Sequence, residues 1–232
     1  MHEHDDRDHD HDHDHDHDHP HAHPPAQKDH DAGPMGAYEV LEEALRSLLI
    51  EKGILTAEAI AAAVDLMDSR TPALGAKVVA RAWTDAAFKK HLLKDTRAAL
   101  LNCGIDIGTI AEFVTVENSP DVHNVIVCTL CSCYPKMLLG TPPAWYKSLA
   151  YRSRTVVDPR GVLSEFGLEL PPQVEVRVHD STADLRYIVL PMRPKATRGW
   201  NEAQLAAIVT RDCMIGTALP KVVPKARGVR AA

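Results

Sequence analysis

Residues 125–135 read V-I-V-C-T-L-C-S-C-Y-P. Val125 to Cys128 is a β-branched apolar run of the kind that forms a strand, and Cys128, Cys131 and Cys133 follow at C-x2-C-x-C spacing. A tight turn directly after a strand can gather three sulfurs around one centre while exposing the amides between them. Three thiolates leave a tetrahedral zinc site one ligand short, so Cys103 or Cys213 would have to complete it or a position would stay open. An iron–sulfur cluster wants four cysteines at a different spacing. Three thiols packing as small apolar groups is the bland alternative, and it would make the ligand spacing a coincidence.

Further strand-like runs flank this stretch at Val114–Glu117, Val174–Val178 and Tyr187–Leu190. Upstream the pattern is helical. Tyr38, Leu41, Leu45, Leu48 and Leu49 recur at spacings of three and four and Gly53 follows as a stop; Thr56 is the expected cap of a second helix reaching Met67. A third helix is expected over Leu74–Trp83. A fourth, capped by Thr84 or Asp85, carries Phe88, Leu92, Leu93, Ala99 and Leu100 up to Gly104. Short helices are expected to begin at Pro142 and near Pro159, where proline suits a first turn, and a last one runs from an Asn201 cap through Leu205, Ile208 and Val209. There is no regular βαβ alternation and no solenoid repeat. The expected fold class is α+β: an N-terminal helical arm, residues 35–104, followed by a compact layered, sandwich-like metal-binding domain, residues 105–220, with a flexible tail over 221–232.

The 232 residues carry 26 Lys+Arg and 32 Asp+Glu, a net charge of −6, and the imbalance sits at one end. Residues 1–34 hold 11 of the 14 histidines and 11 acidic residues against Arg7 and Lys28, a net charge of −9 that leaves the remainder at +3. With no Lys/Arg-dense face, nucleic acid is not an expected partner. No apolar run approaches the roughly 18 residues of a membrane span and no apolar stretch follows Met1, so a cytoplasmic protein without a membrane partner is expected. Residues 8–19 alternate Asp and His. A segment without apolar residues is expected to be disordered. Its imidazoles and carboxylates suit either a metal-holding tail or a merely solubilising one.

The cysteine stretch resembles the metal-binding signature of the nitrile hydratase α subunit, V-C-[ST]-L-C-S-C. The resemblance extends from E-K-G at 51–53 and G-A-K-V-V-A at 75–80 to G-x-P-P-A-W-Y-K-S at 140–148, Y-R-S-R at 151–154 and D-P-R-G-V-L at 158–163. It continues through E-V-R-V at 175–178 and the stretch at 180–191 to T-R-D-C-M-I-G at 210–216. It implies that Cys128, Cys131 and Cys133 supply three sulfur ligands and that deprotonated amides of Ser132 and Cys133 supply two nitrogens. Cys131 would then be oxidised to sulfinate and Cys133 to sulfenate. The implied cofactor is one low-spin cobalt(III) per chain, since Thr129 matches the cobalt-type form; iron(III) is the alternative. A metal acting as Lewis acid on a nitrile, or on bound water, with metal-bound hydroxide or the Cys133 sulfenate as nucleophile, would make the chain a hydro-lyase yielding amides. The implied partners are a β-type subunit, in a heterodimer or heterotetramer, and a cobalt-inserting activator protein.

One departure matters. Cobalt-type nitrile hydratases usually continue Y-P-W-P, whereas this chain has Tyr134-Pro135-Lys136-Met137. Lys136 beside the metal would favour a small anion over a neutral nitrile, and the chain also resembles the γ subunit of thiocyanate hydrolase, which releases carbonyl sulfide and ammonia. Cys131, Cys133 and Lys136 are therefore the candidate catalytic residues. Nitrile hydratase is the first reading, thiocyanate hydrolase the second, and a metal-storage or delivery protein the reading of another class. A stoichiometric structural zinc site is a further option. His123 is expected to be a loop or core histidine, and His91 and His179 structural. Tyr146, Arg152 and Arg154 are expected behind the metal site, at the subunit interface or in packing alone, and Cys213 as a small apolar group past the last helix.

Overall fold

A computed structural model describes residues 36–130 and 133–222. The expectations for the 1–34 tail and for Cys131 and Ser132 lie outside the described residues, as does all of 221–232 but its first two residues.

Helices α1 (Ala37–Glu51) and α2 (Ala57–Asp68) open the described chain, and Thr56 caps α2 by accepting a hydrogen bond from the Ala59 amide at 3.1 Å. Neither helix contains a buried residue. The environment changes after Arg70. Helix α3 (Pro72–Thr84) buries Gly75, Ala76, Val78, Val79, Ala80 and Ala82. Helices α4 (Ala86–Lys94) and α5 (Thr96–Leu101) bury Phe88, Leu92, Ala99 and Leu100. The helical segment expected as one arm over 35–104 thus divides, and its second half belongs to the core.

The single helix expected from Thr84 or Asp85 to Gly104 is two. Asp85 caps α4, but Asp95 then accepts from the Ala98 amide at 2.9 Å and starts α5. The next residue, Thr96, donates its hydroxyl to the Leu92 carbonyl and accepts from the Thr115 amide, at 3.0 and 2.9 Å. Local side-chain partners for the backbone are what break a helix at Asp and Thr.

Strands β1 (Glu112–Glu117), β2 (Val122–Val127), β3 (Glu175–Asp180) and β4 (Leu185–Leu190) form two parallel pairs. β1 runs beside β4 with Glu112 opposite Leu185, and β2 beside β3 with Val122 opposite Glu175. Parallel pairing requires a long crossover. Between β2 and β3 this crossover contains the cysteine loop, α6 (Lys136–Leu139), α7 (Ala144–Lys147), α8 (Leu149–Val157) and α9 (Pro159–Glu165). The four expected strands and the proline-started α9 are all present, which makes the fold a mixed helix-and-sheet layering.

The main core joins α3, α4 and α5 to Phe113, Ile126, Val127, Ile188, Val189 and Leu190 from the strands, and to Leu138 and Leu139 from α6. A smaller cluster of Val125, Leu163 and Leu168 lies under α9. Near the end, the Asn201-capped helix stops earlier than expected, as α10 (Glu202–Ala206). Thr210 then caps a further helix, α11 (Arg211–Ile215), that periodicity missed. Gly216 closes α11 at φ +96°, and a Cβ there would lie 2.0 Å from the Asn124 carbonyl oxygen, so only glycine lets α11 end against β2. Among the described residues no helix is long and apolar enough to cross a membrane.

Candidate metal centre

β2 ends at Val127 and delivers Cys128 into a fully buried position. The chain then turns outward. Leu130 is 85% exposed, Cys131 and Ser132 fall outside the described residues, and Cys133 is half-buried. Tyr134 is buried again before Lys136 opens α6 with an exposed side chain. Two of the three expected sulfur ligands therefore stand at the entrance and exit of one short loop. Among the described residues no three His, Cys, Asp or Glu side chains converge as a metal site, and the middle cysteine is not among them.

Three side chains from elsewhere hold the loop. Asp180 is the last residue of β3 and stands opposite Val127 in the parallel register, at the point where the loop leaves β2. Its carboxylate accepts from the Thr129 amide at 2.9 Å and from the Thr129 hydroxyl at 2.5 Å. Arg152 on α8 donates Nε to the Cys128 carbonyl at 3.0 Å and Nη2 to the Thr129 carbonyl at 2.8 Å. The peptide unit joining Cys128 to Thr129 thus has a guanidinium on its oxygen and a carboxylate on its N–H. Both hydrogen bonds are charge-assisted and each polarises the peptide in the sense that strengthens the other. At the exit, the Tyr146 hydroxyl donates to the Cys133 carbonyl at 2.9 Å.

Tyr146 is fully buried, and burial pushes its phenol well above the ordinary tyrosine range, helped by Tyr151 and Cys128 nearby. The hydroxyl therefore stays protonated and remains a donor. Tyr151, raised by burial in the same way, donates to the Ile126 carbonyl on β2 at 2.6 Å. The rings of Tyr134, Trp145, Tyr146, Tyr151 and Phe166 meet edge-on or tilted, with centroids 4.7–6.1 Å apart, and form an aromatic wall behind the loop.

Of the other residues singled out from sequence, Arg154 pairs with Glu165 on the surface. His123 is 3% exposed and donates Nε2–H to the Gly216 carbonyl at 2.7 Å, while Nδ1 faces the Asn118 amide nitrogen at 3.2 Å. His179 donates to Asn124 Oδ1 at 2.8 Å, and His91 lies on α4. Burial lowers both the His123 and the His179 pKa, so each is held as neutral imidazole. Cys213 lies within α11 rather than past the last helix; it packs in the main core and has the Thr210 hydroxyl 3.2 Å from its sulfur. Asp180 was the residue that sequence reasoning missed. Its role depends on strand register, and no local motif marks it.

The donor chemistry fits a metal held by sulfur and backbone nitrogen. A buried thiol and a half-buried thiol bracket a loop whose carbonyls and amide are already committed to Arg152, Asp180 and Tyr146, which leaves little freedom to the peptide between them.

A family description of the nitrile hydratase alpha chain matches residues 36–218. The chain belongs to the nitrile hydratase alpha chain family. It is 49% identical over 185 residues to the low-molecular weight cobalt-containing nitrile hydratase subunit alpha of Rhodococcus rhodochrous, covering 79% of this chain and 89% of that protein. It is 46% identical over 195 residues to the thiocyanate hydrolase subunit gamma of Thiobacillus thioparus, covering 79% and 80%. A solved double mutant of an Fe-type nitrile hydratase from Comamonas testosteroni Ni1 superposes with a TM-score of 0.78 at 41% identity, covering 86% of this chain and all of that one. Cobalt- and iron-type members thus share this family, so the fold alone does not choose the metal.

Proposed function

We propose that this chain is the metal-bearing α subunit of a cobalt nitrile hydratase, converting nitriles to amides together with a β-type partner subunit. The observation that carries the proposal is the loop bracketed by Cys128 and Cys133 and fixed by Asp180, Arg152 and Tyr146. On this reading Cys128, Cys131 and Cys133 hold the ion with the amide nitrogens of Ser132 and Cys133, and Cys131 and Cys133 carry sulfinate and sulfenate. When bound, cobalt(III) supplies Lewis acidity toward a nitrile or toward water.

The residues of the chain do the positioning. Arg152 and Asp180 hold the entering peptide, Tyr146 holds the exit, and the oxidised oxygens of Cys131 and Cys133 offer acceptors to arginines of the partner. The exposed apolar residues of α1 and α2 are the surface the partner covers. A cytoplasmic location and loading by an activator protein belong to the same proposal.

A second reading rests on Lys136, an exposed cation at the loop exit, together with the thiocyanate hydrolase relative. It makes the substrate thiocyanate. Co-expression with partner subunits and cobalt, followed by assays with a simple nitrile and with thiocyanate, separates the two. Amide alone supports nitrile hydratase, and carbonyl sulfide alone supports the hydrolase. The variant Lys136→Trp is expected to raise nitrile turnover and depress any thiocyanate turnover. Activity in neither assay, with cobalt held but exchangeable on reduced thiols, would replace both readings with metal storage.

A further inference from the structure

Four polar side chains form one run of hydrogen bonds from β3 to the end of α11, away from the cysteine loop. His179 on β3 meets Asn124 on β2, and Asn124 meets Asn118 in the turn between β1 and β2. Asn118 meets His123 on β2, and His123 meets the Gly216 carbonyl that closes α11. Asn118, His123 and Asn124 are all buried.

Groups that can only accept or only donate fix the protons along this run. A carbonyl only accepts, so His123 carries a proton on Nε2 toward Gly216, 2.7 Å away, and its neutral ring has a bare Nδ1. A backbone amide only donates, and the Asn124 N–H lies 2.8 Å from Asn118 Oδ1. Asn118 therefore turns its oxygen to Asn124 and its amino group to His123 Nδ1, 3.2 Å away. The Asn124 amino group donates to that same oxygen at 2.9 Å and to the Glu117 carbonyl at 2.8 Å, which leaves Asn124 Oδ1 to accept from His179.

We propose that His123 and Asn118 form a pH-operated latch that holds the turn between β1 and β2 and releases it in acid. A proton on Nδ1 sets two donors face to face in a buried place. Asn118 gains nothing by rotating its amide, because the amino group would then face both donors of Asn124. His123 donates to Gly216 in either charge state, so the contact that fails is the one to the turn. Burial lowers the His123 pKa and the Gly216 carbonyl partly offsets it. Val176 stands opposite His123 on β3 and carries no charge. The carboxylates of Glu117 and Glu175 are engaged by Lys89 and Arg177, and Asp121 is exposed at the turn. His179 donates to Asn124 whether charged or neutral, so its titration leaves the latch closed. The latch does not depend on the reaction assigned to the cysteine loop.

The test is amide hydrogen exchange of the full-length chain at pH 7.5 and 5.5, with each rate divided by that of the same amide in an unfolded chain. An opening that takes up one proton at the reference histidine pKa of about 6.5 becomes about tenfold more populated over this interval. The Asn118 and Asn124 amides should therefore lose about tenfold in protection and fall below those of Leu92 and Leu100 at pH 5.5. Unchanged protection in the turn would overturn the proposal, as would equal protection of turn and core at pH 5.5, which would mean exchange by whole-chain unfolding alone. Asn118→Asp puts an acceptor on both sides, toward Asn124 and toward a protonated Nδ1, and should abolish the acid loss; a tenfold loss retained in that variant would count against the latch. Nitrogen NMR of the parent's imidazoles at pH 7.5 supplies a check that needs no variant. His123 should carry its proton on Nε2 alone, and a proton on Nδ1 would remove the basis of the latch.

Discussion

Leu45 in α1 and Leu92 in α4 both sit on apolar stripes with spacings of three and four residues, yet Leu45 is 53% exposed and Leu92 2%. The same contrast runs through the whole helical segment. Tyr38, Leu41 and Leu48 in α1 and Val64 and Leu66 in α2 are exposed, whereas α4 and α5 pack against β1 and α3 against α4, α6, α10 and α11. Periodicity defines a face but does not say what covers it. The strands and helices that follow supply a surface for α3–α5, and among the described residues none buries a side chain of α1 or α2. An apolar face of that extent marks an interaction surface, here the one proposed for the β-type partner.

The sharpest way to break this contrast is a pair of matched truncations. Leu100→Ala removes a fully buried core side chain and is expected to lower the stability of the chain by about 2–5 kcal/mol, measured by urea unfolding. Changing Leu41 and Leu45 to Ser together should leave that unfolding curve within about 0.5 kcal/mol. The same double change should weaken assembly with the partner by about 3 kcal/mol, roughly a hundredfold in Kd, read by sedimentation. Equal destabilisation of the lone chain by both sets would show that α1–α2 is folded onto the body after all.

The buried histidine gives a smaller effect with a pH signature. His123→Asn leaves the Gly216 carbonyl without its donor at a cost of about 1–3 kcal/mol. Because burial lowers the His123 and His179 pKa values, protons bind the unfolded chain more readily than the folded one. Stability is therefore full above the ordinary histidine value of about 6.5 and falls as pH drops below it. Unfolding curves between pH 7.5 and 5 should show this slope in the parent, and a shallower one in the variant. An unchanged slope would mean that His123 does not contribute to it.

The smallest effect belongs to the exposed helices. Thr56→Ala removes the cap of α2 and should cost about 1 kcal/mol or less of local helix stability. Hydrogen exchange should show faster exchange within α2 and no change in α3–α5. Faster exchange spreading into α3 would indicate that the two regions unfold together.

Several features were legible from local chemistry alone. The four strands follow from β-branched runs, and the caps at Thr56, Asp85 and Asn201 follow from residues whose side chains accept backbone amides. The cysteine spacing identified the loop and the family. The helix breaks at Asp95 and Thr210 were harder to see, because apolar periodicity runs on through residues whose polar side chains satisfy the backbone locally.

By itself, the sequence determined most of the elements, their apolar faces and the cysteine spacing of the loop. Each depends on residues within a few positions of one another, where spacing and hydrogen-bonding capacity decide the outcome. Only the tertiary structure decided which faces are covered and which distant groups hold the loop. Asp180 reaches Thr129 because β2 and β3 pair in parallel with Val127 opposite it, and Arg152 reaches the Cys128 and Thr129 carbonyls from α8 in the crossover between those strands. Those contacts join residues 23 to 51 positions apart, and no local pattern encodes a strand register or a helix packing against it.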